Sequence, residues 1–269
     1  MSALASATAP PVGRVTQARV ALSEWTKLRS VRSTRWSFLA AFLLTIGIGA
    51  LACAVVGHHY AHMSERDKLD FHPLEVNLVG VQLAQLALGV LGVLVITGEY
   101  ATGMIRASMA AAPRRLPVLW AKLIVYGATV LTLMVPSAFI AFFIGHAILK
   151  PHHEAVAFGA HGVVRALVGA GLYLTVVGLF GLSLGAIVRN TAGGIAAFAA
   201  IMFVLPPLMN VLPVSWNNAI SPYLPLQAGE RVLQLQGGTL SPWQGFGLLC
   251  GYTVAAVVVA AVLLRRRDV

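Results

Sequence analysis

The sequence predicts an all-α membrane protein of six transmembrane helices with both termini cytoplasmic, and three observations carry that reading. Of its 269 residues, 58% are apolar and only 10% are charged, against about 25% charged in soluble domains. Mean hydropathy is +0.81. The basic residues stand in short clusters beside long apolar runs. So few charges cannot cover a water-facing surface, so lipid is the expected solvent for most of the chain.

The whole chain, 1–269, reads as one transmembrane domain. Residues 1–35 are a cytoplasmic tail with an interfacial helix. Val15, Ala18, Ala21, Leu22, Trp25 and Leu28 share one arc of a 3.6-residue helix, with Arg19, Glu24 and Lys27 off it, and the pattern ends near Ser30. An Ala-x-Ala pattern occurs at Ala50 and Ala52. The long polar segment before it and the length of the apolar run favour an uncleaved signal anchor over a removable leader.

A helix needs about 20 apolar residues to cross the hydrocarbon layer. Six stretches qualify, forming a bundle over 36–264: Trp36 to Val56, Asn77 to Thr97, Val118 to Leu149, Gly162 to Val188, Thr191 to Leu212 and Gln244 to Leu264. The third contains Pro136, which predicts a kink, and begins with a cytoplasmic extension that includes Lys122. Only Arg189 and Asn190 separate the fourth and fifth, which predicts a tight hairpin. The outer segment 213–243 carries just Glu230 and Arg231, and reads as short re-entrant helices or as an interfacial loop pinned by Trp216 and Trp243. Residues 265–269 are a cytoplasmic tail.

Orientation follows from the basic residues. One side collects Arg14, Arg19, Lys27, Arg29, Arg32, Arg35, Arg106, Arg114, Arg115, Lys122, Arg189 and Arg265 to Arg267. The other has Arg66, Lys68, Lys150, Arg165 and Arg231. The richer side is cytoplasmic by the positive-inside rule. The net charge of +10 is thereby an orientation signal, and no nucleic-acid partner is expected. Cys53 and Cys250 lie in apolar stretches without a CxxC pattern, so no disulfide framework is expected.

The same topology sends all 8 histidines outward. His58 and His62 share a helix face at a spacing that could ligate a metal, which keeps open a scaffold, metal-sensing or pH-sensing role for the outer loops. No Asp, Glu, Lys or Arg lies near the centre of a span, which disfavours an ion-coupled carrier. There is no Gly-Lys pair for a phosphate-binding loop, so any ATPase is expected in another subunit. Gly181-Leu-Ser183-Leu-Gly185 matches a nucleophile-elbow pattern, which keeps an intramembrane serine hydrolase on Ser183 as a third reading. The competing reading is a close-packing face at Gly181 and Gly185, with the spacing repeated at Gly247 and Gly251.

The loop 98–117 has the most information. Glu99 ends a helix, Gly103 permits a turn, and Thr102 is placed to cap a short helix from Met104 to Ala110, which Pro113 stops before Arg114 and Arg115. Glu99-Tyr100, then Thr102-Gly103-Met104-Ile105-Arg106, then Pro113-Arg114-Arg115 resembles the segment between the second and third helices in permease subunits of type-2 ABC transporters. That family more commonly has Gly-Thr-Ile where this chain has Thr-Gly-Met. Ser23-Glu24-Trp25-Thr26-Lys27-Leu28-Arg29 resembles the interfacial helix of bacterial members, and Ile220 to Pro225 their last outer segment.

The resemblance implies that the loop is a coupling helix docking on a nucleotide-binding subunit, which would hold ATP and Mg while this chain binds no cofactor and is not itself an enzyme. It implies a pore shared with a second permease copy or a sister chain, in a bacterial plasma membrane. The cargo it implies is an exported apolar or amphiphilic compound such as a drug, lipid or peptide.

Overall fold

A computed structural model describes residues 16–60, 63, 64, 68, 71–104, 115–152, 155–235 and 237–266, and these form helices and turns without a strand. The first helix, α1 (Gln17–Ser30), starts at Thr16, whose hydroxyl accepts from the Arg19 amide. Extended backbone at Val31 separates it from α2 (Arg32–His59). A short α3 (Pro73–Asn77) then leads into α4 (Gly80–Ala101). The 35-residue α5 (Arg115–Leu149) runs unbroken past Pro136 and α6 is Val163–Val188.

The turn between α6 and α7 (Thr191–Ala199) is the expected hairpin. Arg189 takes a left-handed φ of 59°. Asn190 then caps α7 by accepting from the Gly193 amide at 2.9 Å, as a side chain at that position does for otherwise unpaired helix amides. Past Ala199 the helix widens into a π turn (Ala200–Val204) before α8 (Leu205–Leu208). The Pro206-Pro207 pair removes two amide donors and crowds the preceding carbonyls, and a widened turn relieves both. On the way to the last span come α9 (Val214–Ile220) and α10 (Pro225–Glu230), with 3-10 turns at Ser221–Tyr223 and Arg231–Leu233. The last described element is α11 (Pro242–Arg266).

Among the described residues, six helices are long and apolar enough to cross a membrane: Arg32–His59, Gly80–Ala101, Leu116–Leu149, Val163–Val188, Thr191–Val211 and Pro242–Arg266. The protein is therefore a multi-pass membrane protein. Several helices outrun the apolar stretches from which they were expected, because flanking polar residues such as Arg32, His58 and His59 are also helical.

The bundle is centred on α6, whose apolar window is 72% buried, whereas that of α2 is 22% buried. Its most extensive partner is α4. Small residues set that contact: a Cβ on Gly181 would strike the Gly89 carbonyl, and one on Gly92 would strike the Gly178 carbonyl. Backbones approaching this closely are the usual device of helix association in lipid. The expected repeat of that face at Gly247 and Gly251 is not found, since both face open space within the chain. The reason is rotational: α11 packs through Gly245, Leu249, Thr253, Ala256 and Ala260, the other side of the helix.

Several buried polar side chains inside the bundle find partners within it, although Asn77 Oδ1 is buried without one. Tyr126 donates to the Leu88 carbonyl at 2.6 Å, and Tyr173 donates to Gln85 Oε1. Thr45, Thr97, Thr175 and Thr253 return their hydroxyls to the carbonyl one turn back, the standard way a threonine sits in a membrane helix.

Candidate functional site

At the end of the bundle where α4 stops and α5 begins, four charged side chains meet. Lys122 Nζ, on α5, lies 2.6 Å from Glu24 Oε2 on α1 and 2.8 Å from Glu99 Oε1 on α4. Lys27 Nζ, on α1, lies 2.7 Å from Glu24 Oε1 and 2.8 Å from the same Glu99 oxygen. Two carboxylates and two ammoniums thus alternate in a closed, neutral ring that joins three helices. The side chains of Lys122, Glu24 and Glu99 are 2%, 4% and 9% exposed, and that of Lys27 is 30% exposed.

Each helix supplies its member by local geometry. Glu24 and Lys27 are one turn apart on α1 and face the bundle with Leu28, while Leu22 and Trp25 on the other side are exposed. Glu99 is in the last turn of α4, and Lys122 lies two turns into α5. Glu24, Glu99 and Lys122 lie within hydrogen-bonding distance of partners because an unpaired ion so little exposed would be expensive. Burial pulls the Lys27 ammonium down, but hydrogen bonds to Glu24 and Glu99 more than offset that, holding it above its ordinary 10.5. The second carboxylate oxygen of Glu99 is buried and makes no hydrogen bond.

On α1 the inward side is therefore the polar one. The sequence pattern puts Glu24 and Lys27 off the apolar arc, toward water, yet they turn inward. The apolar arc is split: Leu28 packs inward, and Leu22 and Trp25 look out. Pairing with Glu99 and Lys122 makes the polar stripe the one that belongs inside.

Beside the ring, the Arg189 guanidinium stands 5.5 Å from the Tyr100 ring centroid and donates to the Leu263 carbonyl at 3.1 Å. A cation over an aromatic face is attracted by the ring's quadrupole. Through these contacts α4, the α6–α7 turn and the end of α11 are tied at the same level.

The remaining loop residues behave differently from one another. Thr102 follows the last turn of α4, and its hydroxyl donates back to the Gly98 carbonyl at 2.9 Å. Gly103 follows at φ 71°, the left-handed residue that ends helices, and Met104 is 47% exposed. Ile105, Arg106, Pro113 and Arg114 lie outside the described residues, so the Met104 to Ala110 helix is not described beyond its first residue. Arg115 is the first residue of α5.

On the opposite end, His58 and His59 present exposed rings, with His59 Nδ1 2.9 Å from the Val55 carbonyl. His62 lies outside the described residues. His146 Nδ1 meets the Val156 carbonyl at 2.9 Å. Among the described residues no three His, Cys, Asp or Glu side chains are grouped to hold a metal. The titratable feature at this end is Glu230, which faces a cavity of about 70 Å³ with Glu75, Gln82 and Gln234. Burial, and then the nearby Glu75 carboxylate, raise its pKa to about 7. Ser183 is fully buried, and its hydroxyl donates to the Leu179 carbonyl at 2.8 Å.

Lys122 is the member that sequence reasoning passed over as part of a helical extension. The signal was present: a lysine inside an apolar helix needs a counter-ion, and Glu24 and Glu99 are assigned to its side of the membrane by the topology. Comparison with protein-family models and with curated proteins finds no match to this chain.

Proposed function

We propose that this chain is the permease subunit of an ATP-driven exporter of the ABC type, in a bacterial plasma membrane. It carries an apolar or amphiphilic cargo and is powered by a separate nucleotide-binding subunit docked on the loop between Gly98 and Arg115. ATP and Mg belong to that subunit. The observation that supports this reading is the buried ring of Glu24, Lys27, Glu99 and Lys122 at the base of the loop. A permease without its own energy source needs a stiff place to receive a push. Here the two ends of the loop are gathered with α1 by charges that resist separation, because parting them would strand ions in a dry site. A displacement of the loop then moves α1, α4 and α5 together, and α4 carries α6 through their glycine contact. The motif resemblance of the loop and of the α1 sequence points the same way. A second permease copy or a sister chain completes the pathway.

The test is co-purification of an ATPase with the tagged chain from its host membrane, in wild type, in a deletion of Thr102 to Ala110, and in Met104→Glu. Met104 is exposed, so its substitution does not disturb the core. Wild type is expected to bring down ATPase activity that both variants lose while still inserting. Retention of the ATPase by the deletion overturns the docking assignment.

A further inference from the structure

Between α1, α2 and α5 lies a groove of about 420 Å³ whose lining is almost wholly apolar, a size typical of sites for small ligands, about 300 to 1,000 Å³. Phe38 and Phe42 of α2 and Leu133 of α5 line its length, and Trp25 of α1 walls one side. Arg29 of α1 and Arg35 of α2 also line it. Arg35 precedes Phe38 and Phe42 by one and two helical turns on the same face, so the cationic mouth and the greasy interior are arranged along the helix axis, about 10 Å from end to end. Neither arginine makes an ion pair among the described residues, although four other charges nearby are fully matched.

We infer that this groove is a binding site for one anionic phospholipid. Its phosphate would be held between Arg29 and Arg35 and one acyl chain laid along Phe38, Phe42 and Leu133. Both halves of the ligand are specified. An apolar trough at a bundle surface is solvated by hydrocarbon, and two guanidiniums at its mouth, without an ion pair among the described residues, match a phosphate in charge and fork geometry. The neutral ring behind the groove takes no share of their charge, so their field is directed at the headgroup. A lipid seated there would brace α1 against α2 and α5. This inference stands independently of the transport reading, since it needs only the groove and its two arginines.

Native mass spectrometry of the purified chain in detergent tests it, with phosphatidylglycerol and phosphatidylcholine of identical chains supplied in turn. Wild type is expected to retain one phosphatidylglycerol with a preference of about thirtyfold, the effect of two basic residues at an anionic headgroup. Arg29→Gln/Arg35→Gln should erase the preference but keep weak binding of both lipids. Leu133→Trp, which fills the trough, should lower retention of both. A charge-matched control, Arg19→Gln/Arg265→Gln, should behave as wild type. Equal retention of the two lipids by wild type, an undiminished preference in Arg29→Gln/Arg35→Gln, or a loss of preference in the control overturns the site. Inorganic phosphate is expected to leave lipid retention and thermal stability unchanged; an effect matching that of phosphatidylglycerol would make this an anion site without a lipid and overturn the inference as well.

Discussion

Glu99 and Lys122 show how a single side chain carries the organisation of the end of the bundle where α4 stops. Each is buried against the other and against a second partner on α1. Removing one member of a buried pair strands its partner, at a cost of about 3 to 5 kcal/mol. Glu99→Gln and Lys122→Met are each expected to lower stability by that order, whereas the double variant, again neutral, recovers much of the loss. Unfolding in detergent, arranged as a double-mutant cycle, measures this; additive losses would show that the ring is not one unit. At the other end Glu230 gives a pH dependence. Its pKa is raised from 4.5 to about 7, so the folded state holds the proton more tightly than the unfolded state. The stability it contributes is complete below about 4.5 and declines as pH climbs to about 7. The thermal midpoint is expected to fall over that window, and Glu230→Gln to flatten the profile; an unchanged slope in the variant refutes the assignment.

Among the elements, α4 and α6 form the spine, and glycines decide how close they stand. Gly92→Leu or Gly181→Leu forces a side chain into a facing carbonyl, which is expected to destabilise by at least the 1 to 3 kcal/mol typical of overpacking. Gly251→Leu, at a site open within the chain, is expected to leave monomer stability within about 0.5 kcal/mol, as ordinary surface changes do. Thermal unfolding of the three variants side by side checks the contrast. The two glycine pairs have the same spacing in the sequence, and nothing local distinguishes them. What separates them is which side of each helix meets a neighbour, a property of the assembled bundle. The hairpin at Arg189 and Asn190 is the opposite case: its length and its capping asparagine are both local, and the turn is legible from the sequence.

For the whole molecule, an even number of spans places the start of α2, the α4–α5 connection, the α6–α7 turn and the end of α11 at one end of the bundle. The basic clusters are the ground for expecting that end in the cytoplasm. In a Cys53→Ala, Cys250→Ala background, a membrane-impermeant thiol reagent is expected to label His58→Cys in intact cells and Met104→Cys only after the membrane is opened. The reverse pattern would invert the topology and remove the loop from reach of any cytoplasmic motor. The candidate site was half legible at this scale: Glu24, Lys27 and Glu99 stood out through their motifs, but as separate features, and Lys122 did not stand out at all. Their separations along the chain, 98 residues for Glu24 and Lys122 and 72 for Lys27 and Glu99, leave no periodic trace.

Hydrophobic run length alone determined the number of membrane-spanning helices and their order, because a span in lipid must satisfy every backbone hydrogen bond within itself and so declares its structure locally. Capping and turn residues placed several of the breaks for the same reason. Only the tertiary structure decided which face of α1 turns inward, which glycines touch a neighbour and which charges pair. Those outcomes depend on the approach of segments far apart in sequence, where the avoidance of a lone buried ion outweighs the apolar pattern of any single helix.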